Sequence, residues 1–288
     1  YIYTRIYYMD LLYNVWKNNN KLGNGPWSIS GNSIAGIRTA FQVPELKIQL
    51  DAGLQSFNKV SDIFITHSHA DHVSSLPLIV LENISHKLVT NIYCPKDSKT
   101  VIENMISSFL MCNYNNTQIP RKYFKVIPLD NKFFLELKLN NNDIKIKSFY
   151  ATHTVPTLCY GFIDVKKKLK EEFKGLDKNA IISLKKEGIS ITEKVDYKRL
   201  VFCGDTSIDI FENNPTILEF ENIVIECTFF EEDDLHLAQE RKHMHWLLLR
   251  PVIESNPDIN FYLIHISAKY HSTDNLKEYL IGLDNVFL

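Results

Sequence analysis

No two cysteines in this 288-residue sequence are spaced C-x-x-C. The five that occur, Cys94, Cys112, Cys159, Cys203 and Cys227, are odd in number and scattered, which argues against both a disulfide framework and a thiolate metal cluster. A reducing, intracellular compartment is expected, the cytoplasm first, with the nucleus also compatible. Long apolar runs are missing too. Nothing approaches the roughly 20 residues of a membrane-spanning helix, so no membrane partner is expected. The opening from Tyr1 to Trp16 is broken by Arg5 and Asp10 and carries no small-residue cleavage site. The chain does not open on Met, and Met9 offers an alternative start. No internal repeat is evident.

Excess positive charge is likewise lacking, since the net charge is −2. That excludes a uniformly basic surface but not a local one. Between Lys166 and Arg199, ten Lys and one Arg face six acids. A basic arm on an acidic body would suit an RNA contact, although a run of this kind is commonly a solvated helix face.

With 45% hydrophobic residues the chain can fill one large core. Arg38 to Val43 and Leu46 to Asp51 read as a hairpin turned at Pro44 and stopped at Ala52-Gly53. Ser61 to Thr66 reads as a buried strand, followed by helical spacing from Val73 to Asn83. After a strand at Leu88 to Tyr93, Val101, Ile102, Met105, Ile106, Phe109 and Leu110 mark an amphipathic helix. Strands are expected again at Tyr123 to Ile127, Phe133 to Leu139, Asp143 to Tyr150, Arg199 to Phe202, Asn222 to Glu226 and Asn260 to Ile264. Such mixing predicts a layered α/β architecture whose chemistry sits on loops at strand ends.

The densest chemistry is Thr66-His67-Ser68-His69-Ala70-Asp71-His72, in a chain with ten histidines. A lone His is ordinarily a hydrogen-bonded structural residue, and His86, His236 and His271 read that way. A cluster is different, because crowded neutral imidazoles call for a cation. Alternate residues of an extended turn share a side, so His67 and His69 can meet one ion while Asp71 and His72 face a second. The ligand set suits zinc, with iron or manganese weaker.

This motif resembles the signature of the metallo-β-lactamase superfamily, which implies a four-layer αββα sandwich. The resemblance implies that His67, His69 and His153 (in YATHT) hold one zinc, that Asp71, His72 and His265 (in LIHIS) hold the other, and that Asp205 (in FCGDT) bridges them. Two zinc ions per chain would lower the pKa of water from about 15.7 to about 7 and stabilise charge developing on a phosphoryl group.

Further blocks narrow the resemblance. SISGNSIAG at 28–36, FITHSH at 64–69, FCGDT at 202–206, IECTF at 225–229 and LIHISAKY at 263–270 are similar to short plant-type tRNase Z. That family would make the chain a zinc-dependent endoribonuclease that removes 3′ trailers from precursor tRNA, leaving a 3′-hydroxyl on the tRNA and a 5′-phosphate on the trailer. It implies a domain over 25–288 behind an extension at 1–24, and an inserted arm at about 163–199. It further implies a homodimer in which one subunit's arm grips the tRNA that its partner cuts. Lys166, Lys167, Lys168, Lys170 and Lys174 would then contact phosphates without reading sequence. His243, opening Lys242-His243-Met244-His245, would protonate the departing ribose oxygen with Glu226 orienting it, Asp71 would serve catalysis as well as the metal, and Ser267 would touch the scissile phosphate. The chain departs from the family at His245, where a small hydroxyl residue is usual, and at the bulky Trp246. Two other readings remain: a hydrolase of small phosphodiesters using the same metals, and an RNA-binding relative disabled by those departures.

Overall fold

The computed structural model describes residue 16 and residues 19–56, 58–114, 121–270 and 276–288. His271 and most of 1–24 lie outside the described residues.

The first half of the chain builds one seven-stranded sheet and the second half another. In the first, β1 (Asn20–Lys21), β2 (Ser28–Ile34), β3 (Arg38–Val43), β4 (Ile48–Leu50), β5 (Asp62–Phe64), β6 (Thr90–Pro95) and β7 (Phe124–Leu129) lie side by side in chain order. The hairpin expected around Pro44 is β3 and β4, antiparallel with Val43 opposite Ile48. From β4 onward the pairs are parallel; helices α1 (Ala70–Val73) and α2 (Leu76–Ser85) supply the crossover from β5 to β6, and α3 (Lys99–Met111) that from β6 to β7. The single helix expected over Val73 to Asn83 is thus two, with Pro77 in the first turn of the second, where a missing N–H does no harm.

The second sheet begins as antiparallel strands β8 (Phe134–Leu139), β9 (Asn142–Ala151), β10 (Thr157–Leu169) and β11 (Thr192–Phe202). Parallel strands β12 (Asn222–Glu226), β13 (Asn260–Ile264) and β14 (Val286–Phe287) complete it. Between β10 and β11 stands α4 (Lys178–Lys186), capped by the Asp177 carboxylate accepting the Ala180 N–H. Helices α5 (Ile210–Asn213), α6 (Leu235–Arg241) and α7 (Trp246–Glu254) follow.

Three apolar clusters make four layers. Leu50, Phe64 and Tyr93 of the first sheet face Tyr160, Phe162, Leu200 and Phe202 of the second. Phe64 stacks on Tyr93 with centroids 4.5 Å apart and meets Phe162 edge-on at 5.2 Å. On the outer side of the first sheet, Ile63 and Ile92 pack under Leu76, Ile79, Ile102 and Ile106. Cys203 and Ile225 do the same beneath Leu249 and Ile253 on the outer side of the second. The expected αββα sandwich is the architecture found, and the ends of its strands converge where the two sheets meet.

Candidate metal centre

The loop between β5 and α1 carries His67 and His69, and α1 itself carries Asp71 and His72; His153 follows β9, Asp205 follows β11 and His265 follows β13. Strand ends deliver each of them because apolar strands must stop before polar groups can gather. Three overlapping groups of donor atoms result, one from His67, His69, His153 and Asp205, one from Asp71, His72 and His265, and a third in which His243 joins Asp205 and His265. The sequence-expected ligands are therefore all brought together, and Asp205 reaches each group. Its Oδ1 lies 3.4 Å from His72 Nε2, while its Oδ2 lies 3.6 Å from His67 Nε2 and 3.4 Å from His265 Nε2.

The outward ring nitrogens decide what faces inward. His72 Nδ1 donates to Asp51 Oδ2 at 2.8 Å, and His153 Nδ1 to the Lys242 carbonyl at 3.2 Å. Thr66 Oγ1 gives its proton to Asp51 and so accepts from His67 Nδ1 at 3.0 Å. Thr228 Oγ1 gives its proton to Glu226 and accepts from His265 Nδ1 at 3.0 Å. With the proton on the outer nitrogen, each of these four imidazoles can turn an Nε2 lone pair to a cation at the centre, the tautomer that metal ligation requires; without one, His265 Nε2 pairs with Asp71 Oδ2 at 3.2 Å. His69 instead points Nδ1 at His67 Nε2 and His153 Nε2, at 3.1 and 3.2 Å.

Opposed lone pairs at such distances repel unless a cation lies between them. Two further atoms call for one, since His72 Nε2 and Asp205 Oδ1 are buried without a hydrogen-bond partner. The donor set fits a pair of divalent cations of the zinc type.

Burial holds His67, His69 and His153 below the ordinary imidazole range, so they stay neutral and available as ligands. Burial acts to lower His72, but the Asp205 and Asp51 carboxylates outweigh it and hold that ring well above the ordinary imidazole range. Burial alone would raise the Asp205 carboxyl, but the His72 and His265 rings hold it well below the usual range. At Asp71 the same opposition is settled by His265, 3.2 Å away, and the carboxyl again falls.

Backbone strain concentrates at the same place. Asp51 and His265 sit in the left-handed region at φ 57° and 56°, a conformation that costs a non-glycine residue about 1–3 kcal/mol and persists where surroundings enforce it. The His265 N–H is pinned by Ser33 Oγ at 3.0 Å. A Cβ at Gly53 would stand 1.7 Å from the Asp71 carbonyl oxygen, so the loop behind the carboxylate can close only over a glycine.

His243 lies beside this centre, its ring 5.0 Å from that of His153 and 5.5 Å from that of His265. Its Nδ1 donates to Glu226 Oε1 at 2.7 Å. Burial would lower its pKa, but the Glu226 carboxylate pushes it up to about 9, leaving the ring protonated at neutral pH. Glu226 is fully buried and fixed by the Thr206 N–H at 2.9 Å and by Thr228.

His245 and Trp246 point elsewhere. His245 caps α7, its Nδ1 accepting the Leu247 N–H at 3.1 Å and its Nε2 meeting the Glu231 carbonyl at 2.9 Å. Trp246 stacks on Phe230 in the outer core at 5.6 Å. A cap is the task small hydroxyl side chains commonly perform, so the departures leave the ring of His243 unobstructed.

Ser267 is partly buried two residues past His265, its N–H donating to the Thr228 carbonyl at 3.2 Å. The arm lysines lie at the other end of β10, whose 13 residues span about 40 Å. Lys167 is exposed, Lys168 lies 4.8 Å over the Tyr197 ring, Lys170 stands 3.7 Å from Glu172, and Lys174 pairs with Glu171. Lys166 is committed inward, 3.0 Å from the fully buried carboxylate of Asp164. His86 and His236 are exposed and belong to none of the donor groups. Sequence reasoning passed over Asp51, Thr66 and Thr228 as parts of the site; a carboxylate and two hydroxyls ending buried strands were their only signal.

Known proteins agree with this geometry. A family model described as Anti-Pycsar protein Apyc1 matches residues 44–173. Among solved structures, the metallo-β-lactamase fold protein YhfI from Bacillus subtilis superposes with a TM-score of 0.55 at 15% identity, over 89% of this chain and 92% of that one. The short form of human tRNase Z gives 0.51 at 16%, over 84% and 92%. The chain has the metallo-β-lactamase fold. In sequence it resembles the tRNase Z proteins: TRZ1 of Arabidopsis thaliana is 29% identical over 252 residues, 85% of this chain and 86% of that protein.

Proposed function

We propose that this chain is a metal-dependent endoribonuclease that removes 3′ trailers from precursor tRNA. The observation that carries it is the His243–Glu226 pair set against the seven-ligand centre, in a chain that resembles tRNase Z proteins in sequence. His67, His69 and His153 would hold one zinc, Asp71, His72 and His265 a second, and Asp205 both. Bound there, the ions would activate water and stabilise the charge that builds on the phosphoryl oxygens.

The protein's own groups do the rest. Asp71 is steadied by the Gly36 N–H at 3.0 Å and keeps its carboxylate ionised for ligation and catalysis. His243, charged because Glu226 lies behind it, presents its free Nε2–H to the ribose 3′-oxygen and protonates it as the P–O3′ bond breaks. Water supplies the new P–O bond, so the tRNA ends in a 3′-hydroxyl and the trailer begins with a 5′-phosphate. Ser267, near the His265 turn, would steady the scissile phosphate.

We assign 25–288 to the catalytic domain, with the arm at about 163–199 inserted in it. Because the arm stands about 40 Å from its own centre along β10, Lys167, Lys168, Lys170 and Lys174 would serve the active site of a partner subunit in a homodimer.

Purified protein given zinc and a 3′-extended precursor tRNA should release mature-length tRNA; intact substrate beside an active control enzyme would overturn the assignment. A second reading, hydrolysis of small phosphodiesters, is favoured by a donor set complete without the arm, none of whose residues belongs to it. Deleting 166–199 separates the two, since tRNA cleavage should collapse while turnover of a small model phosphodiester survives.

A further inference from the structure

Four aromatic side chains among the described residues are strongly exposed: Phe133 at 43%, Phe134 at 58%, Tyr150 at 48% and Phe287 at 40%. Phe287 stacks on Tyr262 at 4.9 Å. The other three lie on β8, β9 and the turn leading into β8, Phe133 and Tyr150 on the face of Ser148 and Phe134 round the strand edge on that of Lys147, and neither Phe133 nor Tyr150 makes a ring contact among the described residues. Grouped aromatic surface of this kind left in water marks a place where something binds.

The rings are bare but their backbone is held. Phe133 donates its N–H to Ser148 Oγ at 3.0 Å and accepts from the Ser148 N–H at 3.0 Å. Tyr150 donates to Asn131 Oδ1 at 2.9 Å, and its carbonyl accepts from Asn214 Nδ2 at 2.9 Å. A ring on a fixed backbone loses little entropy when a second planar group settles on it.

Positive charge surrounds them. Lys147 Nζ lies 5.7 Å from the Phe134 centroid and 4.8 Å from that of Phe149. Burial lowers the Lys147 pKa, and the nearby Lys198 and Lys132 lower it further against the single opposing carboxylate, Glu219, which pairs with Lys198. Lys147 against Phe134, with Lys132 near it and Lys198 paired to Glu219, puts amines beside bare rings, the chemistry that holds unpaired nucleic acid, with bases stacked and phosphates neutralised.

Position makes the choice of strand. Tyr150 precedes His153 by three residues, about 10 Å of extended chain at most. Phe133 lies beside Ser148, and Phe134 opposite Lys147, so the rings recede from the metal centre along β9. On the edge strand β8, neighbouring side chains turn to opposite faces, and Phe133 and Phe134 thereby wrap the sheet edge. Bases inside a tRNA stem are already stacked and paired; those of a trailer are not.

We propose that Tyr150, Phe133 and Phe134, with Lys132 and Lys147, form a stacking platform that holds the unpaired 3′ trailer beyond the cleavage point. This rests on the endonuclease reading above. Cleavage of precursor tRNAs bearing a long unstructured trailer and a minimal one tests it in Tyr150→Ala, Phe134→Ala and Tyr150→Trp proteins. Each alanine variant should raise KM about tenfold for the long trailer, leave its kcat unchanged and leave the minimal-trailer substrate unaffected, with Trp at 150 restoring the parent value. Equal changes on both substrates, or none, would overturn the platform. Anisotropy of a labelled unstructured oligoribonucleotide gives a readout independent of cleavage. Affinity about tenfold weaker in the alanine variants supports the platform even if the parent cuts no tRNA, and affinity equal to the parent's overturns it even if tRNA is cut.

Discussion

Asp51 Oδ2 and His72 Nδ1 lie 2.8 Å apart, both fully buried, and this contact selects which nitrogen of His72 faces the metal centre. Burial pushes the Asp51 carboxyl up, while His72 and Thr66 act to keep it ionised. Removing the acceptor should loosen the ring rather than delete a ligand, so Asp51→Asn is expected to weaken zinc affinity by about 10–100-fold with little change in fold. Competition against a chromogenic chelator measures it; an affinity equal to the parent's would show that His72 needs no such partner.

Substitution at His243 should divide chemistry from metal binding. His243→Gln and Glu226→Gln are each expected to lower kcat by about 10²–10⁴ while zinc content stays as in the parent. Single-turnover cleavage alongside elemental analysis reads both quantities. A variant that lost metal in proportion to activity would move His243 into the ligand set.

The cap formed by His245 predicts a stability effect in place of a catalytic one. His245→Thr keeps an acceptor for the Leu247 N–H and should cost little, whereas His245→Ala should cost about 1 kcal/mol and leave kcat of the folded fraction within a few-fold. Trp246→Ala opens a hole in the outer core and should cost roughly 3–5 kcal/mol. Urea unfolding with parallel kinetics would expose an error here as a fall in kcat at full stability.

Lys166 and Lys167 adjoin in sequence and should behave differently. Lys166→Ala strands the buried Asp164 carboxylate and is expected to cost roughly 1–3 kcal/mol, reduced because the lysine is itself partly exposed. Lys167→Ala should leave stability unchanged and weaken tRNA binding in a salt-dependent way. Thermal melts and filter binding at two salt concentrations settle the pair.

Chelation should destabilise the chain. Neighbouring lone pairs and the partnerless His72 Nε2 and Asp205 Oδ1 are costly without a cation, and ligand present at 100 times its Kd contributes about 2.7 kcal/mol to the folded state. A melting temperature that rises when zinc is returned to stripped protein is expected; an unchanged one would contradict the fit of the donor set.

Much of the centre could be read from the sequence because its ligands carry a local pattern. Four stand within six residues, and the other three each follow a strand apolar enough to recognise. Asp51, Thr66 and Thr228 escaped because they act by touching those ligands from distant segments, and a single buried polar residue has no periodicity. The strands themselves were legible where both faces are buried and the run is almost wholly apolar, as at Asn222–Glu226 and Asn260–Ile264, which the structure reproduces to the residue. They were not legible in the arm, where β10 and β11 run past the core and lose the alternation that burial imposes. The cap at His245 was hidden for another reason: imidazole seldom does that work, so the residue read as an intruder near the chemistry.

The donor groups draw on both sheets, and the sheets on opposite halves of the chain. A nascent polypeptide emerging from the ribosome therefore carries His67 through His72 long before it gains Asp205 or His265. Neither half alone can clasp the ion pair. Assembly of the centre must wait until synthesis has reached His265 and the two halves have docked, so no partly built chain can hold both ions.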